Sequence, residues 1–162
     1  MSFPEMIDAY LAAVPPLRQA VAGMTADQQR ARPVAGKWST LEVVCHLSDT
    51  ELIYADRIKR ILVDDQALFI YADETRYAAD LPNHERDLEE ELGLIELTRK
   101  HMARMLRALP PASLTRAGTL RRKDGKEEPR TIEMILKSAN NHIPHHLPFI
   151  QEKRQALGLA KT

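Results

Sequence analysis

Between Trp38 and Leu62 the chain contains neither glycine nor proline, and a stretch of that length with a capping start has one simple solution, a long helix. Ser39 or Thr40 can accept from the first free amides. Glu42 stands three residues after Ser39, the spacing of a capping box. On the helical wheel Val43, His46, Thr50, Ile53 and Arg57 share one side, with Glu42 and Asp49 at its edge. A histidine therefore sits in the middle of a face that should point into a core. A lone buried histidine is ordinarily neutral and bonded to a backbone carbonyl, so the remaining chain decides whether this one has partners.

Three other segments carry helical spacing. Met6, Tyr10, Leu11, Val14, Leu17, Val21 and Met24 define a first helix over about Pro4 to Met24, with a kink or short break expected at Pro15-Pro16. Thr25-Ala26-Asp27-Gln28 reads as a capping box for one short extra turn. Asn83 can cap a third helix from His84 to about Ala108, acidic at its start and basic near its end as the helix dipole prefers. Its apolar stripe breaks at Thr98-Arg99, where either a cavity or a partly exposed helix end would fit. The last helix begins near Arg130-Thr131 and reaches about Leu157 before Gly158. The fold class is therefore all-α, a four-helix bundle with long connections between helices two and three and between three and four, in a single domain over 1–162. The first of those connections, Asp64 to Asn83, is long enough to serve as a lid or site wall, offering Asp73, Glu74, Arg76 and Tyr77. The second contains a hairpin turn signal at Asp124-Gly125.

Lysine plus arginine equals aspartate plus glutamate at 23 each, so bulk charge favours neither nucleic acid nor an anionic membrane as partner. No apolar run approaches the length of a membrane span, and the start lacks the basic and apolar regions of a secretion signal. With Cys45 as the single cysteine, the expectation is a protein of the reducing cytoplasm.

Three of the six histidines crowd into Asn141-His142-Ile143-Pro144-His145-His146-Leu147-Pro148. Residues four apart on a helix lie roughly 40° apart around the axis, so His142 and His146 can stack on one face and hold one metal ion between them, whereas His145 sits roughly 60° to the other side. A catalytic centre of the zinc type takes three protein ligands and leaves one position open. His46, on another inward face, is the candidate for the third. Pro144 and Pro148 work against the pair, since each removes an amide and crowds the preceding turn. Either the helix kinks at the histidines or it ends there and they do not stack. Three imidazoles would suit zinc, nickel, iron or copper.

Trp38-Ser39 with Glu42, then Cys45-His46-Leu47, then Arg57, and finally His142-x-x-His145-His146 resemble the DinB superfamily, and within it the YfiT-like branch of bacillithiol-transferase type. The resemblance spans nearly the whole chain. It implies a four-helix bundle, often a homodimer, in which His46, His142 and His146 bind a divalent metal, most often nickel or zinc. It also implies transfer of a small thiol such as bacillithiol, mycothiol or glutathione to an electrophile.

Three readings of function follow. In the first, the chain is a metal-dependent thiol S-transferase acting on a small electrophile, with Arg57 or Arg99 holding a carboxylate of the thiol through a two-pronged guanidinium contact. In the second, it is a non-catalytic metal-binding or stress-associated bundle, whose ion is closed off by Glu42, Asp49 or His145. In the third, the histidines are ordinary polar residues of a metal-free interaction bundle. Cys45 is not a nucleophile in any of them, because its side chain leaves the helix roughly 100° away from that of His46.

Overall fold

Capping side chains set where the helices begin. The computed structural model describes residues 1–160. Ser2 with Glu5 opens α1 (Phe3–Ala12), Thr25 with Gln28 opens α3 (Ala26–Arg30), and Ser39 with Glu42 opens α4 (Thr40–Val63), each as a reciprocal capping box. The first helical segment breaks at Ala13, and α2 (Val14–Val21) starts there with Pro15 and Pro16 in its first turn, where a missing amide costs nothing. Asp73 caps α5 (Glu74–Asp80), Asp87 caps α6 (Leu88–Arg107) and Thr131 caps α7 (Ile132–Ala156). Asn83 does not cap the third long helix as the sequence suggested. Its side-chain amide instead donates to the carbonyls of Tyr77 and Ala78, while the Asp87 carboxylate, the better partner for a helix N-terminus, accepts from the amides of Glu89 and Glu90.

Both long connections are structured. Together they make a three-stranded sheet, β1 (Leu68–Ile70), β2 (Ala117–Arg121) and β3 (Glu127–Thr131), in the order β1-β2-β3. β1 runs parallel to β2 with Leu68 opposite Thr119, and β2 runs antiparallel to β3 with Ala117 opposite Thr131. The β2–β3 turn is the one signalled by Asp124-Gly125, and Gly125 takes a φ of 80° there. The fold remains a four-helix bundle, with this small sheet laid against α4 and α7.

Pro144 and Pro148 neither end α7 nor separate its histidines, for the helix runs through both. Both prolines are exposed, so their rings project into solvent, and the carbonyl freed by Pro148, that of Pro144, belongs to an exposed residue.

Two apolar clusters fill the bundle. One joins Met6, Ile7 and Tyr10 of α1 to Ile58 and Ile61 of α4, Met102 and Leu106 of α6, and Ile135 and Leu136 of α7, beneath Phe69 and Leu120 of the sheet. The other joins Leu17 and Val21 of α2 to Val44 and Leu47 of α4, Leu92 and Ile95 of α6, and Ile143 and Ile150 of α7. On α4, α6 and α7 the residues between the clusters are polar: Glu51, Arg99 and Asn140, all buried. The gap at Thr98-Arg99 is thus neither a cavity nor an exposed end. Arg99 fills it, fully buried, giving Nε to Glu51 at 2.8 Å, Nη1 to the Tyr10 carbonyl at 2.6 Å and Nη2 to the Ala139 carbonyl at 2.9 Å. Among the described residues, no helix is long and apolar enough to cross a membrane.

Candidate metal centre and pocket

His46 lies in the second turn of α4 and is buried, with the Trp38 ring 5.3 Å from its own. His142 and His146, one helical turn apart on α7, face it. The ring centroids are 4.8 Å apart between His46 and His142, 4.9 Å between His46 and His146, and 4.8 Å between His142 and His146. One ring nitrogen from each can be chosen so that all three lie within 4.8 Å of one another, and Nε2 of His46 is 3.0 Å from Nε2 of His142. Two imidazoles on one ion of zinc type stand roughly 3.3 Å apart at their ligating nitrogens, given metal–nitrogen bonds of about 2.0–2.1 Å and tetrahedral angles. The observed spacing fits.

Electrostatics point the same way. Burial first, and then repulsion from His46, depresses the pKa of His142 to about 3 and of His146 to about 4. His46 is also lowered by burial, against the opposing pull of Glu74 and Asp49. All three are neutral near pH 7 and present lone pairs, the form a metal takes. The buried Nδ1 of His146 has no hydrogen-bond partner. An orphaned ring nitrogen inside a cluster of neutral imidazoles is the kind of group an ion satisfies.

No carboxylate closes the set. Glu42 is occupied by Arg32 and by the backbone amide of Ser39. Asp49 takes two bonds from Arg86, at 2.9 and 3.0 Å, and Arg86 in turn holds Glu91 and Ser48. His145 is exposed and packs its ring on His146 and Phe149, outside the group. Among the described residues His46, His142 and His146 stand as a three-ligand set. Cys45 is fully buried, and burial pushes its thiol up to about 12, so it remains protonated.

His46 also forms part of the wall of a pocket of about 250 Å³. Along α4 the wall continues through Thr50, Tyr54 and Arg57, and across from it runs α7 with Ser138, Ile135 and Met134. Tyr71, Glu74 and Tyr77 come from the segment between α4 and α6, so that segment is a site wall. Asp73 and Arg76 are spent otherwise, Asp73 capping α5 and pairing with Lys123, and Arg76 pairing with Asp80. Of the two arginines offered for substrate, Arg57 lines the pocket. Arg99 does not, because all three of its nitrogens are committed to the interior described above. Arg122 and Arg130 are also in the wall, the one beside the hairpin turn and the other at the expected start of the last helix, and neither carries a site signal in the sequence. The pairing of β1 with β2 and β3 carries them to the pocket. Tyr54 sits eight residues after His46, beside the stripe that carries Thr50, Ile53 and Arg57, so the helical wheel could have placed it at the pocket's edge.

Residues 13–150 match the family described as the DinB superfamily. Among solved structures, YfiT from Bacillus subtilis superposes with a TM-score of 0.84 at 25% sequence identity, over 98% of this chain and 89% of its own. That protein is described as a probable metal-dependent hydrolase with an unusual four-helix bundle topology. No curated protein matches the chain.

Proposed function

The chain belongs to the DinB superfamily, and from that premise we propose that it is a divalent-metal-dependent thiol S-transferase, joining a low-molecular-weight thiol to a small electrophile. The observation that carries the proposal is the three-imidazole set, of which His46 also lines a pocket, with Glu42 and Asp49 engaged by arginines. A nickel or zinc ion suits imidazole ligands, and when bound it lowers the pKa of a thiol or water beside it.

The remaining work falls to this chain's own groups. Burial keeps His46, His142 and His146 unprotonated, so no proton has to leave the ligands near neutral pH. Trp38 covers one side of His46. Arg57 gives one hydrogen bond, from Nη2 to the Ile70 carbonyl at 3.2 Å, and its other donors can fork onto a carboxylate of the thiol. In the transfer the thiol sulfur forms a bond to the electrophilic carbon as the carbon–halide or equivalent bond breaks, the leaving group departs with its electron pair, and the thiol proton goes to solvent. A second reading, hydrolysis by an activated water, is favoured by the description of YfiT.

The test begins with metal analysis of untagged protein beside a His142→Ala/His146→Ala double variant. About one nickel or zinc per chain, lost in the variant, is expected. Absence of metal even after divalent ions are offered would sink the proposal. The loaded protein is then given chlorodinitrobenzene with and without glutathione or cysteine, and separately nitrophenyl acetate without thiol. Thiol-dependent chloride release supports transfer, whereas ester cleavage alone supports hydrolysis. Bound metal with neither reaction leaves a non-catalytic metal-binding bundle.

A further inference from the structure

The pocket has two chemically different ends. Along α4 its wall residues are His46, Asp49, Thr50, Ile53, Tyr54 and Arg57, every one on a single helical face. Along α7 they run the other way, from Met134 and Ile135 through Ser138 toward His142, with Arg130 just before the helix. α4 and α7 are antiparallel here, so the imidazoles meet at one end of a trough and the arginines at the other. His46 and Arg57 are eleven positions apart, roughly 16 Å of helix rise. Side chains lean toward the N-terminus of their helix, the longer Arg57 further than His46, which leaves on the order of 10–15 Å between the two ends. The stretch between is mostly apolar or aromatic, formed by Ile53, Tyr54, Tyr71, Leu120, Met134 and Ile135.

The arginine end carries more positive charge than its surroundings cancel. Arg122 and Arg130 both donate to the same oxygen, Oε1 of Glu128. Arg57 has no ion pair among the described residues and rests over the Phe69 ring, 5.8 Å from its centroid. Of the three guanidiniums, two thus share one carboxylate and the third has none. Asp49 and Glu74, the other acids of the wall, belong to the part facing His46, whose imidazole feels both of them.

We propose that the trough selects an elongated thiol bearing a carboxylate on the order of 10–15 Å from its sulfur, with Arg57, Arg122 and Arg130 as the carboxylate subsite. The sulfur end rests on the transferase reading, while the carboxylate end stands on the arginines alone. An added carboxylate can take over donors of Arg122 and Arg130 without stranding Glu128, because both arginines are part-exposed and a shared oxygen leaves each with unused N–H groups.

Four ligands separate the two ends: ω-mercaptooctanoate, ω-mercaptooctanol, octanoate and octanol, each titrated calorimetrically into nickel-loaded protein. The acids should bind at least about tenfold more tightly than the matching alcohols. Their advantage should shrink with added salt and fall to about one in an Arg57→Gln/Arg122→Gln/Arg130→Gln variant that keeps its nickel. Equal binding of acid and alcohol, an acid preference that survives in the triple variant, or no binding of either acid would each overturn the proposal. The thiol advantage is read independently. If mercaptooctanoate binds no better than octanoate while both exceed the alcohols, the transferase reading fails and the carboxylate subsite stands.

Discussion

Replacing Arg99 with methionine should cost about 3–5 kcal/mol of folding stability, toward the upper end of that range, without touching the pocket. Arg99 has no exposed surface, and it holds the Glu51 carboxylate at 2.7–2.8 Å, two backbone carbonyls, and the face of the Tyr10 ring at 4.4 Å from the centroid. A methionine side chain would fill much of the volume but would leave Glu51 buried with only the Tyr10 hydroxyl as partner, and would take the Arg99 donors from the carbonyls of Tyr10 and Ala139. Each group deprived of a donor adds about 1–3 kcal/mol in the worst case. For a chain of this size the loss corresponds to roughly 6–20 °C in Tm. Circular dichroism during urea and thermal unfolding measures it. The double variant Glu51→Met/Arg99→Met should be more stable than Arg99→Met by about 2 kcal/mol, because no charge is then left unpaired.

The pH response of Arg99→Met follows from the same pair. Burial already pushes Glu51 above the ordinary carboxylate range against the opposing pull of Arg99. Without Arg99 the folded-state pKa rises further above the unfolded value, so the penalty is present at neutral pH and is relieved as pH falls through the new folded value. A loss under about 1.5 kcal/mol, strict additivity in the double variant, or a variant that weakens on mild acidification would refute this account.

Other perturbations reach different parts of the molecule. Native Cys45 should resist Ellman's reagent near pH 8 and react only as fast as the chain opens, since its thiol lies near 12; rapid labelling of folded protein would contradict its burial. For Glu42, burial pushes the pKa up, but Arg32 and the Ser39 cap outweigh it and the net shift is downward. Its stabilising contribution is therefore present above the unfolded value near 4.5 and lost as pH falls through the folded one, so Glu42→Gln should flatten the acid side of a Tm-against-pH curve. Gly118→Ala would set a methyl 2.6 Å from the Phe69 ring and 2.9 Å from the Ala67 carbonyl. Because β1 and β2 meet there, a cost of about 1–3 kcal/mol is expected by chemical denaturation, together with altered Arg57 binding through the displaced Phe69.

Much of the bundle is legible along the chain because its determinants are local. Ser39 and Glu42 are three residues apart and need only a helical turn to cap each other, and the stripe that puts His46 inward is a property of α4 alone. His142 and His146 share a face through helix periodicity, which is why the third ligand could be sought on another helix before any coordinates. The departures concern groups whose partners are distant. Arg99 reads as a break in an apolar stripe until Glu51, 48 positions away, turns out to face it. Arg122, beside a hairpin turn, and Arg130, at a helix start, carry no site signal until the parallel pairing of β1 with β2 folds their hairpin over the pocket.

By itself, then, the amino-acid order determined the long helices, all of their starts but that of α6, and the inward histidines, since these depend on hydrogen bonds and side-chain directions within about one turn. Tertiary structure alone decided that Pro144 and Pro148 face water and leave α7 whole, and that Glu42 and Asp49 are paired with arginines rather than joined to the imidazole set. It also decided that one arginine of the two candidates is sealed in the core while Arg57 joins two others at the pocket's end. The arginine outcomes rest on partners from other elements, Arg86 with Asp49 and Arg99 with Glu51, and only the packed chain brings such partners together.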